Sequence, residues 1–191
     1  MPTRIVTAYT PEYDSLAARL VMSADRLNIP ITAVPFASRG SWQANHLIKP
    51  EAILQVIQET GDDCLWLDAD MYLRHWPATW MAGDVLLKYS DPPEAQVFDF
   101  AQGRIVSNAT AELTPWGGHM LFRDSSMVRA LLALWQRTCA QYAGITNDEQ
   151  CLRYALGLIS CKITVSPFPD PAVWIVHNPQ GIRNGKPVDW L

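Results

Sequence analysis

Hydrophobic and polar positions follow two alternating patterns along the first third of the chain. Three short apolar segments have the length and composition of buried strands, at residues 4–9, 31–35 and 64–67. In the two intervals between them, apolar residues recur at helical spacing, from Tyr13 to Leu27 and from Ile53 to Ile57. This order of strands and helices predicts parallel strands connected by crossover helices.

The rest of the chain has a less regular pattern. The elements predicted there are strands at 85–89 and 120–122, a hairpin of 97–100 with 105–107, and helices after Ser125 and Asn147. Because no linker, repeat or low-complexity segment interrupts the chain, we expect a single domain over residues 1–191. The predicted fold class is α/β, with a Rossmann-like mixed, mostly parallel sheet flanked by helices.

Composition and charge narrow the function classes. With 49% hydrophobic residues and a formal net charge of −4, the chain is typical of a globular protein, and its scattered basic residues argue against a nucleic-acid partner. Cys64, Cys139, Cys151 and Cys161 lack Cys-x-x-Cys spacing, so we expect reduced interior thiols. No apolar run approaches the roughly 18 residues of a membrane span and no signal region opens the chain, which predicts a cytoplasmic protein.

The most informative polar residues are Asp68 and Asp70, which directly follow the apolar segment 64–67. Carboxylates at the end of a buried strand lie at the carboxyl edge of the sheet, where open α/β folds bind their ligands. Two neighbouring aspartates repel each other and are oxygen donors, so the pair predicts a divalent cation that faces a polyphosphate. The alternative is that both are solvated residues of a turn.

Three further sets of residues are candidates for the same site. Asp148 and Glu149 begin a predicted helix, where they serve either in catalysis or only in stabilising the helix dipole. Gly117 and Gly118 allow the backbone to approach a ligand closely, or form a turn before the next strand. Lys49, at the start of a helix, either offsets phosphate charge or is a solvated surface lysine.

Three tryptophans lie near these motifs in the sequence. Trp76 and Trp80 follow the aspartate pair, and Trp116 precedes the glycine pair. They are candidate stacking platforms for the rings of a ligand, although side chains of this size more often belong to the core. Both interpretations stay open at this point.

Taken in order, the motifs carry a resemblance. They are Thr7-Ala8-Tyr9, Lys49-Pro50, Trp66-Leu67-Asp68-Ala69-Asp70, Gly117-Gly118 and Asn147-Asp148-Glu149-Gln150. In this order the whole chain resembles glycosyltransferases of the A-type fold, in the nucleotide-diphospho-sugar transferase superfamily. The resemblance implies a metal-dependent enzyme that moves a sugar from a nucleotide-diphosphate donor, a UDP-sugar, to a hydroxyl acceptor.

The resemblance also implies a metal site. Asp68 and Asp70 would hold Mn²⁺ or Mg²⁺ against the donor diphosphate, with His177 near the C-terminus as a third ligand. A bound cation neutralises the charge on the departing diphosphate without any proton transfer. The alternative for His177 is a packed or surface histidine that binds no metal.

Other residues receive roles from the same resemblance. Thr7 and Tyr9, at the end of the first strand, occupy the place of residues beside the nucleobase and ribose, and Lys49 would lie near the phosphates. Of the acidic pair, Asp148 would face the donor sugar. In inverting relatives an acidic residue nearby deprotonates the acceptor hydroxyl, so whether Asp148 is also the base depends on the stereochemistry of the reaction.

Two alternative functions remain open from the sequence. One is a non-catalytic protein that binds sugar nucleotides without turnover. The other is a phosphohydrolase of the haloacid dehalogenase kind, which also uses an Asp-x-Asp pair after a strand. That family carries the pair on its first strand, whereas two strand-helix units precede Asp68 here, which counts against it.

Overall fold

The computed structural model describes residues 2–90, 96–107, 114–159, 162–170 and 174–177. Its strands are β1 (Thr3–Tyr9), β2 (Ile31–Pro35), β3 (Asp63–Leu67), β4 (Met71–Leu73), β5 (Val85–Ser90), β6 (Gln96–Asp99), β7 (Arg104–Ser107), β8 (Thr114–Phe122), β9 (Val165–Pro167) and β10 (Ile175–His177). Its helices are α1 (Asp14–Arg26), α2 (Trp42–His46), α3 (Lys49–Thr60), α4 (Ser126–Gln141) and α5 (Asp148–Ile159). The predicted α/β class is confirmed.

Six strands form a central sheet in the order β2-β1-β3-β8-β5-β9. Strand β1 is parallel to β2 and β3, β8 is antiparallel to both of its neighbours, and β9 is parallel to β5. Five of the six strands therefore run in the same direction, which confirms the mixed, mostly parallel sheet. Beside it lie two small antiparallel pairs, β4 with β10 and β6 with β7.

Local sequence signals explain where several helices begin and end. Helix α3 begins at Lys49 and has Pro50 in its first turn, where the missing N–H has no intrahelical partner to lose. It ends at Gly61, whose left-handed conformation (φ 68°) favours glycine. Helix α4 begins after Ser125, whose hydroxyl accepts a hydrogen bond from the Val128 N–H.

Apolar side chains cover both faces of the sheet. On one face, helices α3, α4 and α5 pack against Val6 and Trp66, and on the other, α1 and β4 pack against Ile5 and Leu65. All five residues of β3 are buried, as expected for a central strand covered on both sides. The aspartate pair therefore follows a firmly packed strand.

The structure changes some local expectations. Gly117 and Gly118 do not form a turn before a strand, because they lie inside β8, which begins at Thr114. Strands β4 and β9 are only three residues long, too short for a recognisable alternation of polar and apolar positions. Helix α2 forms in a polar stretch, where the Ser41 hydroxyl accepts a hydrogen bond from the Ala44 N–H.

The cysteines and the helix lengths bear on the earlier expectations. Cys64, Cys139 and Cys151 are buried free thiols, as predicted, and Cys161 lies outside the described residues. Burial raises the pKa of the Cys64 thiol to about 12, so it stays protonated at neutral pH. Within the described ranges, no helix combines the length and apolar character needed to cross a bilayer.

Candidate active site

A cavity of about 610 Å³ opens at the carboxyl ends of β1 and β3. Its walls come from β1, α2, the start of α3, the turn after β3, β8 and the start of α5. Seven residues predicted for the site line this cavity: Tyr9, Lys49, Asp68, Asp70, Gly118, Asp148 and Glu149. The fold therefore brings together side chains that are far apart in the sequence.

The turn after β3 holds the aspartate pair in a defined position. Trp66 Nε1 donates a hydrogen bond to Asp68 Oδ1 (2.9 Å), and the Asp68 N–H donates to the carbonyl oxygen of Gly118 (2.9 Å). The Asp68 carbonyl in turn accepts from the Met71 N–H (3.0 Å). Burial raises the pKa of Asp68, although the Lys49 ammonium opposes this shift. A cation beside Asp68 would favour its charged form.

Lys49 is a buried ammonium at the centre of the cluster. Its Nζ lies 2.9 Å from the carbonyl oxygen of Gly117, 3.1 Å from Asp148 Oδ2 and 3.3 Å from Asp68 Oδ1. Burial lowers the pKa of Lys49, but the carboxylates of Asp148 and Asp68 outweigh this and raise it above its usual value. Lys49 is therefore not a solvated surface lysine, and its three N–H groups have three acceptors.

Asp148, the first residue of α5, is an anion held on both sides. Its Oδ1 lies 3.5 Å from His46 Nδ1, and its Oδ2 faces the Lys49 ammonium. Burial raises the pKa of Asp148, but Lys49 and a hydrogen bond from His46 lower it to about 2. The Trp135 indole N–H donates to the Asp148 carbonyl oxygen (2.8 Å), which fixes the start of the helix.

Glu149 has a different environment. Its Oε1 accepts a hydrogen bond from the Gly117 N–H (2.7 Å). Burial raises the pKa of Glu149, and the negative charge of Asp148 adds to the effect. The pKa values of these two adjacent carboxyl groups are thus shifted in opposite directions, which is typical of sites where one group acts as an acid and the other as a base.

The glycine pair permits the close packing of this cluster. A Cβ on Gly117 would lie 2.9 Å from both Asp148 Oδ2 and Lys49 Nζ. A Cβ on Gly118 would lie 2.5 Å from the Trp116 ring. Any larger residue would displace buried groups, so both positions require glycine for packing rather than for a turn.

Aromatic side chains form other parts of the wall. Tyr9, Tyr13 and Phe36 line the cavity at the ends of β1 and β2, and Trp116 lines it from β8. Thr7 lies on the same face of β1 as Tyr9 but is fully buried, and the cavity contacts Tyr9 instead.

Trp76 and Trp80 belong to a different aromatic cluster. Their ring centroids are 5.4 Å apart, and both pack edge-on against the buried Trp174. Trp80 also contacts Phe168, which belongs to the core on the α1 side of the sheet. Of the three tryptophans proposed as stacking platforms, Trp116 is the one that lines the cavity.

Several lining residues are not singled out by the sequence. His46 and Asn45, on α2, approach the cavity from a segment that has no strong periodicity. The polar stretch just before Lys49 was the available signal. Tyr13 and Phe36 follow β1 and β2, and their place at the carboxyl edge is evident only once the strand order is known.

The donor groups in the cavity fit a divalent cation in chemical type. Asp68 and Asp70 supply carboxylate oxygens from one turn, which Mn²⁺ and Mg²⁺ prefer. Among the described side chains, no group of three or more His, Cys, Asp or Glu residues is arranged to hold a metal ion. The backbone of His177 pairs with Met71, next to Asp70, and the imidazole lies outside the described side chains.

Comparisons with known proteins place the fold. The structure is similar to the crystal structure of a glycosyltransferase involved in the glycosylation of the major capsid of PBCV-1, with a TM-score of 0.62. The match covers 87% of this chain and 82% of the other, at 10% sequence identity. The fold of this chain is therefore similar to the fold of that glycosyltransferase. No family profile matches the sequence, and no curated protein does.

Proposed function

We propose that this protein is a metal-dependent glycosyltransferase of the A-type fold, which moves a sugar from a UDP-sugar to a hydroxyl acceptor. The supporting observation is the cavity itself, in which Asp68 and Asp70 from the end of β3 meet Asp148 and Glu149 from the start of α5. Its volume of about 610 Å³ is in the range of sites that bind small molecules and cofactors. The glycosyltransferase fold supports the same reaction class.

The charge of the cavity supports metal dependence. Among the described residues, four carboxyl groups line it, from Asp68, Asp70, Asp148 and Glu149, and Lys49 is the one lysine or arginine. Because the Lys49 ammonium is already surrounded by three acceptors, a diphosphate would meet net negative charge. Mn²⁺ or Mg²⁺, when bound, supplies the positive charge that neutralises the diphosphate leaving group.

The residues then divide the work of binding and catalysis. Asp68 and Asp70 hold the cation, with His177 proposed as the third ligand. Tyr9 contacts the base and ribose at the end of β1. Thr7 is buried in the same strand and supports the position of Tyr9 from beneath the cavity wall.

The acidic pair completes this assignment. Asp148, ionised and fixed by Lys49, faces the donor sugar. Glu149, whose pKa is raised by burial and by the charge of Asp148, receives the proton of the acceptor hydroxyl in an inverting reaction.

Calorimetric titration with UDP tests the donor and metal assignments. We expect wild-type protein to bind UDP in the presence of Mn²⁺, and Asp70→Asn to weaken that binding by at least about tenfold. Asp62→Asn, at the opposite end of β3, is the matched control and should leave the affinity unchanged. Equal UDP affinity with and without Mn²⁺, in wild type and Asp70→Asn alike, would contradict the proposal.

A second experiment separates turnover from binding. Glu149→Gln keeps an oxygen that can accept from the Gly117 N–H, so UDP binding should persist while release of UDP from a panel of UDP-sugars falls. Asp148→Ala is less informative, because it would leave the Lys49 ammonium buried without its principal partner. If wild type binds UDP but consumes no donor, the protein is a sugar-nucleotide-binding protein.

A further inference from the structure

If the proposed function holds, on which the following inference rests, a cationic side chain is needed to balance the charge of the donor diphosphate. A diphosphate in the cavity would approach four carboxyl groups, and the Lys49 ammonium already has three acceptors. Two other cations in the described ranges stack on rings that line the cavity. They are Arg39, over Phe36, and Lys88, over Trp116.

Arg39, in the segment after β2, contacts two residues that line the cavity. Its guanidinium carbon is 6.0 Å from the centroid of the Phe36 ring, and its backbone N–H donates to Asn45 Oδ1 (2.7 Å). Phe36 and Asn45 both line the cavity. The backbone of Arg39 is therefore held by one lining residue and its guanidinium lies over the ring of another, while the charged end remains partly in solvent.

The present partner of Arg39 is weakly held. Arg39 Nη2 lies 3.0 Å from Glu51 Oε2, and the two side chains are 39% and 47% exposed. An ion pair this exposed contributes little to stability, so exchanging Glu51 for another anion costs little. A guanidinium can bind phosphate oxygens through two parallel N–H groups, which gives a stronger interaction than a surface carboxylate pair.

We propose that Arg39 is a diphosphate-binding residue, which leaves Glu51 and contacts the phosphates of the bound donor. Glu51 lies on the first turn of α3 and is exposed, so its release of Arg39 moves no buried group. Glu51 then acts as a competitor for Arg39. Lys88, on β5, lies over the ring of Trp116 and serves as the comparison residue.

Titration of UDP in the presence of Mn²⁺ tests this proposal. Arg39→Gln should weaken UDP binding by about tenfold, and Arg39→Lys by less, because it keeps the charge but loses the bidentate geometry. Glu51→Gln should strengthen binding by about two- to fivefold, since it frees Arg39. Lys88→Gln should leave the affinity unchanged, and thermal unfolding of each variant checks that the fold is intact.

Inorganic pyrophosphate with Mn²⁺ identifies the group that Arg39 contacts. Loss of affinity for both pyrophosphate and UDP in Arg39→Gln supports a phosphate contact. Loss for UDP alone assigns Arg39 to the base or ribose and overturns the proposal, as does wild-type affinity in Arg39→Gln. If wild-type protein binds no UDP, the proposed function fails as well, whereas UDP binding that is indifferent to Arg39 overturns this inference alone.

Discussion

The two ends of β3 carry the same residue type in different surroundings. At the amino end, Asp62 pairs with Arg4 (Nε to Oδ2, 2.9 Å), and Asp63 lies 3.5 Å from Arg123. Asp63 also accepts a hydrogen bond from the Asp124 N–H (2.9 Å). Each aspartate there has a guanidinium of its own, so the charges are balanced within the protein.

At the carboxyl end of β3, the carboxylates are not each paired with a basic side chain of their own. In the described part of the chain, one cavity is lined by four carboxyl groups and one ammonium, those of Asp68, Asp70, Asp148, Glu149 and Lys49. The ion pairs at the amino end account for both aspartates there without any ligand, because each has an arginine partner. The carboxyl end has excess negative charge in a space shaped for a ligand, and this difference locates the candidate site better than the aspartates do alone.

Removing the central cation should produce the largest effect. Lys49→Met removes the ammonium that lies between the buried Asp148 and Asp68 and leaves His46 as the basic neighbour of Asp148, and we expect a loss of about 3–5 kcal/mol in the free energy of unfolding. Urea unfolding near neutral pH measures it. The matched control is Arg4→Met at the amino end, where the pair is partly exposed. Equal losses in both variants would show that the two ends do not differ energetically.

Adding a methyl group to the packed strand should have the next largest effect. Gly118→Ala places a Cβ 2.5 Å from the Trp116 ring and 2.8 Å from Met71 Cε, and overpacking of this kind costs about 1–3 kcal/mol. Gly157→Ala, inside α5, should instead stabilise the protein by about 0.5–1 kcal/mol, because the added Cβ would meet no described atom within 4 Å beyond its chain neighbours and the adjacent helix backbone. Thermal unfolding of both variants checks the two opposite signs.

The pH dependence of stability should differ in sign between the two ends. The folded state raises the pKa of Glu149, so ionising it lowers stability as pH rises above the usual glutamate range. Glu149→Gln should therefore raise Tm at neutral pH, and by less at pH values near the usual glutamate pKa.

Asp124 supplies the contrasting case. Hydrogen bonds from Arg129 lower the pKa of Asp124, and its ionised form contributes stability above the usual aspartate pKa that is lost as pH falls. Asp124→Asn should therefore lower Tm at neutral pH. Melting curves of both variants at neutral and acid pH provide the test, and shifts of the same sign would contradict it.

The smallest change in the free energy of unfolding should come from a substitution at the amino end of β3. Asp62→Asn removes one partly exposed ion pair with Arg4, worth about 0–1 kcal/mol. Urea unfolding of this variant beside wild type measures the change. A loss as large as that of Lys49→Met would mean that the Asp62 pair is part of a more strongly coupled network than its exposure indicates.

The sequence predicts those parts of the fold that depend on local pattern. Strand β3 and the aspartates that follow it are recognisable because an uninterrupted apolar segment ends in polar residues. The same holds for α3, which proline opens and Gly61 ends. Strands of three residues, such as β4, lack enough positions for a pattern and depend on tertiary contacts.

The candidate site is only partly predictable for a related reason. Asp148 and Lys49 can each be identified as charged residues near helix starts, but their contact joins α5 to α3 and depends on how the helices pack. His46 enters the site only through that packing. The opposite pKa shifts of Asp148 and Glu149 likewise arise from burial and neighbours, which adjacent positions in a sequence do not distinguish.

The hydrogen bond between Trp66 and Asp68 has a consequence for spectroscopy. The indole N–H of this tryptophan is bound to a carboxylate of the candidate site, and the Lys49 ammonium lies 5.8 Å from its ring centroid. Both groups impose an electric field on the fluorophore. A ligand that draws charge from Asp68 changes that field, so the emission of Trp66, isolated by subtraction of a Trp66→Phe variant, is a built-in optical signal of occupancy.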